Sequence, residues 1–561
     1  MIPHAGLPLP TPHKFQFRFG EFSMTKILKK KPQDRPIKLR GRTSPNGIRW
    51  MRVRQGKREV WIRYSDFMTD PQGVKALLAK ADIILIGNEW SEFLNMVRDD
   101  VRDGLRFKPA NIAEQSGWTN PIFALPNGIV VAPNKRRGHC AFQPELERCE
   151  SSGTLDEWLK RVAEPLAGHM LGAFLLMAMF LPPLLKLTHR MGNFGFELIG
   201  RPGRGKSTLL EAISSVIGPA VGETPYWQSC NTTVEALERK LKAHSDLPLL
   251  LDDATSFAGR EVGAVRAKSF KQFVFNLAQG ETKDRWNGGK QFRFRTIYII
   301  TSNLSLAEVT VELAKKEAAA TMDRLLSFDI DLRPHGAFDH VPSEYANIRA
   351  FTSALKAALA VEYGTAMPHF LQVLVKKRIK GEQALSAQIT KHVEDFIATA
   401  QADQNDGSEG RVAEAFGLVL AAGRLAKYCG VLPADLDCEA ITLAAYRLHM
   451  ASASRLRPSE RLLAYAKGPD IVDMEELGVP YLSRRALREA SGVFRVNRDG
   501  VREFLMERTK FEAAFPDHRI VLNDERVSRW LQRGGRHIGV KREVRKGDTK
   551  ARFYVFHLPD T

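Results

Sequence analysis

Cysteine is scarce in this chain. Only 5 of its 561 residues are cysteine, an odd number with irregular spacing. They are Cys140, Cys149, Cys230, Cys429 and Cys438. In a chain of this length, that pattern argues against a disulfide framework and is typical of a reducing compartment. We therefore expect a cytoplasmic protein held together by a large hydrophobic core.

The chain also lacks a long, uninterrupted apolar run. Its most apolar stretch, Leu166–Leu187, contains His169 and ends in Pro182-Pro183, whereas a membrane span needs about 20 clean apolar residues. The first residues contain no apolar segment of the secretory type. The sequence predicts a buried helix with a proline stop and no membrane partner. Residues 1–25 resemble a flexible leader, and Met24 is an alternative start.

Acidic side chains are in deficit. The chain has 64 Asp and Glu against 83 Lys and Arg, which gives a net charge of +19 and a pI near 9.7. Such an excess indicates a polyanionic partner, most often nucleic acid, although a solvated basic surface is the alternative. Basic residues concentrate in two stretches, 26–63 and 533–552. Each stretch is a candidate DNA-binding region.

Aromatic residues are interleaved with arginines in the first basic stretch. Residues 47–64 alternate as two strands around Gln55-Gly56-Lys57, and Trp50, Trp61 and Tyr64 lie among the cations. Aromatics in that setting can stack bases while the cations hold phosphates. The alternative, that these rings pack on their own domain, has equal weight at this point.

A glycine-rich motif, G-x-x-x-x-G-K-[ST], begins at Gly200. It follows the apolar segment FGFELI and precedes a segment of helical periodicity, which is the strand–loop–helix context of a P-loop. The glycines let backbone N–H groups face phosphate oxygens, and the helix N-terminus adds partial positive charge. The predicted nucleotide-binding residues are Gly200, Arg201, Pro202, Gly203, Arg204, Gly205, Lys206, Ser207 and Thr208. The expected ligands are ATP and Mg²⁺.

An acidic pair ends the next strongly apolar strand. Leu247–Leu251 is followed by Asp252 and Asp253. Asp252, together with the P-loop residue Ser207, is predicted to hold Mg²⁺, and Lys206 to reach the β- and γ-phosphates. Asp253 would polarise the attacking water, where glutamate is more usual. An ordinary strand that ends in a solvated acidic turn is the alternative.

Two further polar residues complete the predicted catalytic set. Asn303 follows the β-branched segment Thr296–Thr301, where a residue that senses the γ-phosphate or the attacking water would lie. A turn-forming asparagine is the alternative. Arg324 lies 21 residues beyond Asn303 and is a candidate arginine finger for a neighbouring subunit. A surface ion pair with Asp323 is the alternative.

Two predicted hairpins carry candidate DNA contacts. The first, around Asn287-Gly288-Gly289, would place Lys290 at its tip and Arg285 and Arg293 on its arms, although a solvated surface hairpin is the alternative. The second turns at Lys546-Gly547-Asp548. It follows helical segments at Ser483–Ala490 and Asn523–Gln532, an order that fits a winged helix. Its candidate contacts are Lys541, Arg542, Arg545 and Lys546.

Taken in order, these pieces resemble the phage and mobile-element ATPase family catalogued as domain of unknown function 927. The resemblance covers about Gly117 to Pro433. The matching pieces are Gly117-Trp118, Phe123–Pro126, the helix near Phe174, the P-loop, Tyr226-Trp227, Asn231–Thr233, LPLLLDD, FNLAQGETKDR, Tyr363–Ala366 and RVAEAFGLVLAAGRLA from Arg411. That family is similar to AAA+ ring helicases of the minichromosome-maintenance type.

The resemblance implies an oligomeric ring, a hexamer, that translocates on DNA to replicate a phage, plasmid or genomic island. It also implies that Arg411 is a second sensor arginine opposite the P-loop. Asp253 departs from the family's usual glutamate, and the N-terminal part has no primase-like metal carboxylates. A DNA-bound ATPase switch that does not unwind DNA is the competing function.

The predicted fold class is α/β: a P-loop AAA+ core with a helical region, a basic α+β N-terminal domain and a C-terminal winged helix. The expected boundaries are 1–25 for the leader, 26–150 for the N-terminal domain and 151–335 for the ATPase core. The helical region would span 336–455 and the C-terminal domain 456–561. Single-stranded DNA would pass through a central pore, and the basic flanks would bind duplex DNA.

Overall fold

The computed structural model describes most of the chain in two compact units. The described residues are 36–133, 138–142, 147–188, 192–231, 240–241, 244–254, 273–274, 276–281, 293–303, 324–403, 407–453, 458–515, 518–523, 525–534, 539–548 and 551–559. Among them, residues 36–42 and 49–108 form the first unit, and residues 43–48 and those from 109 onward form the second.

The first unit is a small sheet with a helical layer. Its elements are β1 Ile37–Thr43, β2 Arg49–Gln55, β3 Arg58–Arg63, α1 Asp66–Thr69, α2 Pro71–Lys80, α3 Glu89–Arg102 and β4 Lys108–Pro109. The sheet order is β3-β2-β1-β4. β2 and β3 are antiparallel, which confirms the predicted hairpin around Gly56. Alternate residues of the hairpin, among them Met51, Val53 and Ile62, are buried in one core with Val74 of α2.

Short strands and a buried helix open the second unit. The strands are β5 Ile112–Ala113, β6 Gly117–Thr119, β7 Ile122–Ala124, β8 Val130–Val131 and β9 His139–Cys140. The helices are α4 Leu155–Trp158, α5 Glu164–Ala167 and α6 Met170–Met179, with a π turn at Leu159–Ala163. Nine of the ten α6 residues, Leu171 to Met179, are buried. A 3-10 helix at Pro182–Leu187 follows α6, which confirms the predicted buried helix with a proline stop.

Five parallel strands form the central sheet of this unit. They are β10 Phe194–Ile199, β11 Gln228–Ser229, β12 Leu249–Asp252, β13 Ile297–Ser302 and β14 Leu325–Asp329, and α7 Lys206–Ser214 follows β10. Their order across the sheet is β11-β12-β13-β10-β14. All six residues of β10 are buried, as expected for a parallel strand that is covered on both faces. The predicted α/β class is confirmed, and the structure shows that the central sheet is parallel.

A helical layer follows the sheet in sequence. Its members are α8 Ile348–Leu359, α9 Ala366–Ala400, α10 Gly407–Tyr428 and α11 Cys438–Ala453, and α9 is interrupted at Gly381. Four aromatic rings join this layer to the sheet: Phe174 of α6, Phe196 of β10, Phe328 of β14 and Phe416 of α10. Their centroids lie 5.1 Å (Phe174 to Phe196) to 6.1 Å (Phe328 to Phe416) apart. These helices lie within the predicted helical region, residues 336–455, whose bounds as a domain stay a prediction.

The last hundred residues contain a six-stranded, mostly antiparallel sheet. The helices are α12 Pro458–Ala466, α13 Arg484–Glu489, α14 Arg508–Ala514, α15 His518–Asn523 and α16 Glu525–Trp530. The strands are β15 Ile471–Asp473, β16 Gly492–Val496, β17 Arg502–Glu507, β18 Leu531–Gln532, β19 Val540–Lys541 and β20 Arg552–Phe556. β19 pairs antiparallel with β20, as the predicted basic hairpin requires. The winged-helix assignment of this sheet stays a prediction.

In the part of the chain that the structure describes, no helix is both long and apolar enough to cross a membrane.

Candidate phosphate-binding site

The glycine-rich loop joins β10 to α7 at the carboxyl edge of the parallel sheet. β10 ends at Ile199 and α7 begins at Lys206. Gly203 and Gly205 have φ of +79° and +87°, a left-handed conformation that side chains with a Cβ rarely adopt. A Cβ at Gly205 would also lie 3.0 Å from the Phe338 ring. The two glycines are therefore required by the path of the loop.

Lys206 lies inside the loop and is buried, with 8% of its surface exposed. Its ammonium group donates to the carbonyls of Gly200 at 2.5 Å and Arg201 at 3.0 Å, and to Asn303 Oδ1 at 3.0 Å. Burial lowers the pKa of Lys206, although nearby carboxylates, Asp331 first among them, oppose this shift. A buried ammonium held by neutral oxygens is placed to attract an anion into the cavity in front of it.

The acidic pair lies opposite the start of α7. Ser207 Oγ donates to the Asp252 carboxylate, at 3.1 and 3.2 Å from its two oxygens. Thr301 Oγ1 donates to Asp252 Oδ1 at 2.5 Å and accepts from the backbone N–H of Asp253 at 2.9 Å. Hydroxyl and carboxylate oxygens are the ligands that Mg²⁺ prefers. The chemistry of this donor set therefore fits Mg²⁺ at Ser207 and Asp252.

Asp253 has a left-handed backbone, with φ of +57°. Asp and Asn occupy this region more readily than other residues that carry a Cβ. Such strain persists only where the surrounding structure holds it, and it concentrates at functional sites. The backbone therefore gives a physical reason for aspartate, rather than the longer glutamate, at this position.

The order of the strands brings these residues together. β13, which precedes Asn303, lies between β10 and β12, so all three strands end at one edge beside the loop. Parallel sheets bind ligands at this edge, where successive connections turn to opposite sides. A cavity of about 310 Å³ lies there. Its lining residues are Pro202, Gly203, Arg204, Gly205, Lys206, Ser207, Thr208, Asp252, Asp253, Thr301, Ser302 and Asn303.

A segment beyond β14 holds the glycine-rich loop from outside. Asp331 accepts the Arg201 backbone N–H at 2.9 Å and faces the guanidinium groups of Arg201 at 3.5 Å and Arg204 at 3.3 Å. Arg204 also donates to the Arg333 carbonyl, and its own carbonyl accepts from Ala337 N at 2.9 Å. We call residues 331–339 the loop clamp. Sequence reasoning missed Asp331 because no local motif marks it; Thr301 was missed as well, although it ends a predicted strand.

A buried histidine supports the loop clamp. The ring of His169 is fully buried, 5.2 Å from the ring of Phe338, and its Nδ1 accepts from Asp339 N at 3.2 Å. Burial, with smaller contributions from the charges of His340 and Arg333, lowers the pKa of His169 to about 4 against the opposing charge of Asp339. His169 is therefore neutral at physiological pH.

Arg324 lies at the opposite edge of the sheet from the loop. Its carbonyl accepts from Gly195 N at 2.9 Å, at the start of β10, whereas the loop follows the end of that strand. A cavity of about 880 Å³ at this amino edge is lined by Arg324, Arg411, Arg293 and Arg295 among others. Arg411, expected opposite the P-loop, therefore lies with Arg324 at the amino edge of the same chain.

The predicted DNA contacts lie in different surroundings. Arg285 and Lys290 lie outside the described residues, and Arg293 forms an ion pair with Glu281 at 2.7 Å while 81% of its side chain is exposed. Lys541 and Lys546 are exposed, and Arg545 pairs with Asp548 at 3.4 Å.

Arg542 is bound within the C-terminal sheet. Its guanidinium donates to both carboxylate oxygens of Glu503, at 2.9 and 2.6 Å, and to Gln532. Glu503 is fully buried and also accepts from Arg495 at 3.1 Å. Burial raises the pKa of Glu503, but the hydrogen bonds and charges of Arg542 and Arg495 outweigh burial and leave the pKa below its usual value. These contacts give Arg542 a structural place between strands, which sequence reasoning did not foresee.

Comparison with known proteins gives a family match and a fold. A family model described as "Domain of unknown function (DUF927)" matches residues 41–293, somewhat less than half of the chain. A solved structure described as "SCCmec type IV Cch - active helicase" aligns with a TM-score of 0.55 at 16% sequence identity, over 93% of this chain and 93% of that chain. That likeness shows a shared mixed α/β fold.

Two structures of the NrS-1 C-terminal region align less well. Their TM-scores are 0.25 and 0.22, both at 9% identity. The first covers 69% of this chain and 87% of that chain, and the second covers 73% and 91%. Scores this low carry no argument about the fold. No curated protein matches the chain.

Proposed function

We propose that this chain is an ATP-hydrolysing, Mg²⁺-dependent helicase or translocase that acts on the DNA of a phage, plasmid or other mobile element. One observation carries the proposal. The sheet collects Lys206, Ser207, the two aspartates and Asn303, which are far apart in sequence, around a single cavity at its carboxyl edge. A lysine, a metal-binding oxygen pair and a second carboxylate are the groups that phosphoryl transfer requires.

Each side chain has a role that follows from its position. Lys206 and the loop N–H groups would bind the phosphates, and Asn303, already hydrogen-bonded to Lys206, would orient the γ-phosphate or the water. Ser207 and Asp252 would hold Mg²⁺, whose charge neutralises the phosphate oxygens during transfer. Asp253 would accept a hydrogen bond from the attacking water, since its backbone is fixed beside Thr301.

The position of Arg324 supports action between subunits. β10 has six residues, so its two ends are about 17 Å apart at the usual rise of a strand. An arginine side chain cannot bridge that length to reach its own P-loop. In a ring of identical subunits, the same side chain could complete the site of a neighbour. We therefore propose a homo-oligomer, with six subunits as the expected number.

The DNA partner and the mobile-element setting are inferred from the net charge and from the shared fold. The net charge of +19 indicates a polyanion. The protein that shares this fold is described as an active helicase of SCCmec type IV, and we carry that activity over as a proposal. The proposed C-terminal winged helix would contact duplex DNA through its exposed cations, Lys541 and Lys546.

The experiment is steady-state ATP hydrolysis by the full chain with and without single-stranded DNA. Lys206→Ala should lower the rate by roughly 100-fold or more, because it removes the main positive group of the phosphate site. Lys467→Ala is the matched control. It removes an exposed lysine between α12 and β15, and it should leave the rate unchanged. Single strands should stimulate the wild type, and a forked duplex should be unwound.

Two results would count against this proposal. Hydrolysis that survives Lys206→Ala would remove the assigned site. If the protein binds ATP but single-stranded DNA does not change its rate of hydrolysis, the helicase or translocase proposal would give way to the DNA-bound ATPase switch.

A further inference from the structure

The sheet of the first unit has one face that is not part of its core. Because β2 and β3 pair antiparallel, Trp50 lies directly opposite Arg63, Arg52 opposite Trp61, and Arg54 opposite Glu59. The residues between them, such as Met51 and Ile62, are buried in the core with the helices. Alternation along a strand therefore places the arginines and tryptophans together on the other face.

β1 extends this face with three more cations. Lys38 and Arg40 are exposed, and Arg42 lies close enough to Arg40 and Arg52 for their charges to act on it. Burial lowers the pKa of Arg42, and the charges of these two arginines lower it further. The surface, which we call the arginine–tryptophan face, consists of Lys38, Arg40, Arg42, Trp50, Arg52, Arg54, Glu59, Trp61 and Arg63.

The tryptophans of this face are covered. Trp50 is 4% exposed and Trp61 is 7% exposed. The guanidinium carbon of Arg63 lies 5.5 Å from the Trp50 ring centroid, and that of Arg52 lies 5.8 Å from the Trp61 centroid. These cation–π contacts hold the guanidinium groups in fixed planes, which reduces the entropy they lose on binding a ligand. The rings themselves are too buried to stack on bases.

The face carries far more positive than negative charge. Glu59 is its single carboxylate and pairs with Arg52, against the six cations of the face. Crowded like charges are unfavourable unless an anion neutralises them, so the electrostatics of the face indicate an anionic partner.

We propose that the arginine–tryptophan face binds the phosphate backbone of duplex DNA. The inference rests on the proposed function in taking DNA as the polyanion, but it requires neither ATP nor unwinding. Proteins that grip single strands combine cations with aromatic rings on which bases stack. Here the rings are buried and only the cations are presented, so the face suits a ligand whose bases are already stacked inside a helix.

The test compares two double variants of the full chain that remove the same charge. Lys38→Ala with Arg40→Ala removes two exposed cations of the face, and Lys80→Ala with Arg102→Ala removes two exposed cations from the helices of the same unit. Binding of labelled duplex and of single-stranded DNA of equal length is measured by fluorescence anisotropy over a salt series, without nucleotide.

The face variant should bind duplex at least about tenfold more weakly. The plot of log binding constant against log salt concentration should become shallower by about 2 in slope, since two phosphate contacts are lost. Its loss on single strands should be smaller, and the helix variant should match the wild type. Equal losses for both double variants, or a larger loss on single strands than on duplex, would overturn the proposal. Should the face variant misfold, Arg54→Gln at an exposed position of the face is compared with Lys80→Ala, each of which removes one charge, and the expected change in slope is then about 1.

The two proposals can fail separately. Lys206→Ala protein should bind duplex as tightly as the wild type, because the face does not involve the nucleotide site. A wild-type protein that binds duplex through the face but hydrolyses no ATP would contradict the proposed function alone. Normal ATP hydrolysis, together with duplex binding that the face variant leaves unchanged, would overturn only the proposal for the arginine–tryptophan face.

Discussion

Asp331 should set the affinity of the site for nucleotide, although it lies outside the motif. Its carboxylate holds the Arg201 N–H at 2.9 Å and faces two guanidinium groups of the loop. A hydrogen bond to a charged group contributes about 1.5–3 kcal/mol. The ion pair with Arg201 adds little, since the Arg201 side chain is 76% exposed, whereas the pair with Arg204 is only about a quarter exposed and adds to the hold on the loop. Without Asp331, the nucleotide would have to order the glycine-rich loop as it binds, and that ordering would reduce the free energy of binding.

We therefore expect Asp331→Ala to weaken binding of a fluorescent ADP by roughly 30-fold, which corresponds to about 2 kcal/mol. A second effect opposes this loss, because a carboxylate near the site repels phosphate. Asp331→Asn separates the two effects, since the amide oxygen can still accept from Arg201 N while the charge is gone. The Asn variant should bind within a few-fold of the wild type.

The control for these variants is Glu489→Ala, which breaks an exposed ion pair with Arg485 in the C-terminal part of the chain. It should leave ADP affinity unchanged. The reasoning is refuted if Asp331→Ala binds ADP within twofold of the wild type. It is also refuted if the Asn and Ala variants are equally weak, since the loss would then come from charge and not from the hydrogen bond.

Two other predictions concern a buried histidine and the contact between subunits. The pKa of His169 is near 4 in the folded protein and 6.5 in the unfolded chain. Between pH 7 and pH 5 the unfolded state therefore binds the proton more readily, and the free energy of unfolding should drop by about 2 kcal/mol. Urea unfolding of His169→Gln at the two pH values should lack that part of the drop. For the subunit interface, inactive Arg324→Ala and inactive Lys206→Ala proteins should regain ATPase activity when mixed, because one supplies the intact P-loop and the other the arginine. No recovery in mixed oligomers would place Arg324 outside the catalytic set.

The elements of the central parallel sheet were predictable because their signals are local. β10 and β12 are short apolar runs with glycine or aspartate at their ends, and α7 follows the loop with helical periodicity. The same local reasoning correctly predicted the hairpin around Gly56 and the helical layer after β14. In each case, neighbouring residues in the sequence specify the structure without help from distant contacts.

The remaining features depend on which strands become neighbours. Thr301 contacts Asp252 only because β13 lies beside β12, and Asp331 reaches Arg201 only because β14 lies beside β10. No pattern within either segment encodes those adjacencies. The burial of Trp50 has the same origin, since the arginine that covers it comes from the partner strand.

The positions of the charged groups also constrain how an oligomer could form. The candidate phosphate site lies at the carboxyl edge of the sheet, and Arg324 lies at the amino edge with Arg411. A contact that brings one copy's amino edge to another copy's carboxyl edge joins two different surfaces. Made reciprocally across a two-fold axis, it gives a dimer with two completed sites, and repeated in one direction it is heterologous and gives a ring or a filament. If the mixed variants recover activity, the active species must therefore be an oligomer in which one subunit completes the site of another, and its mass distinguishes a two-fold dimer from a ring.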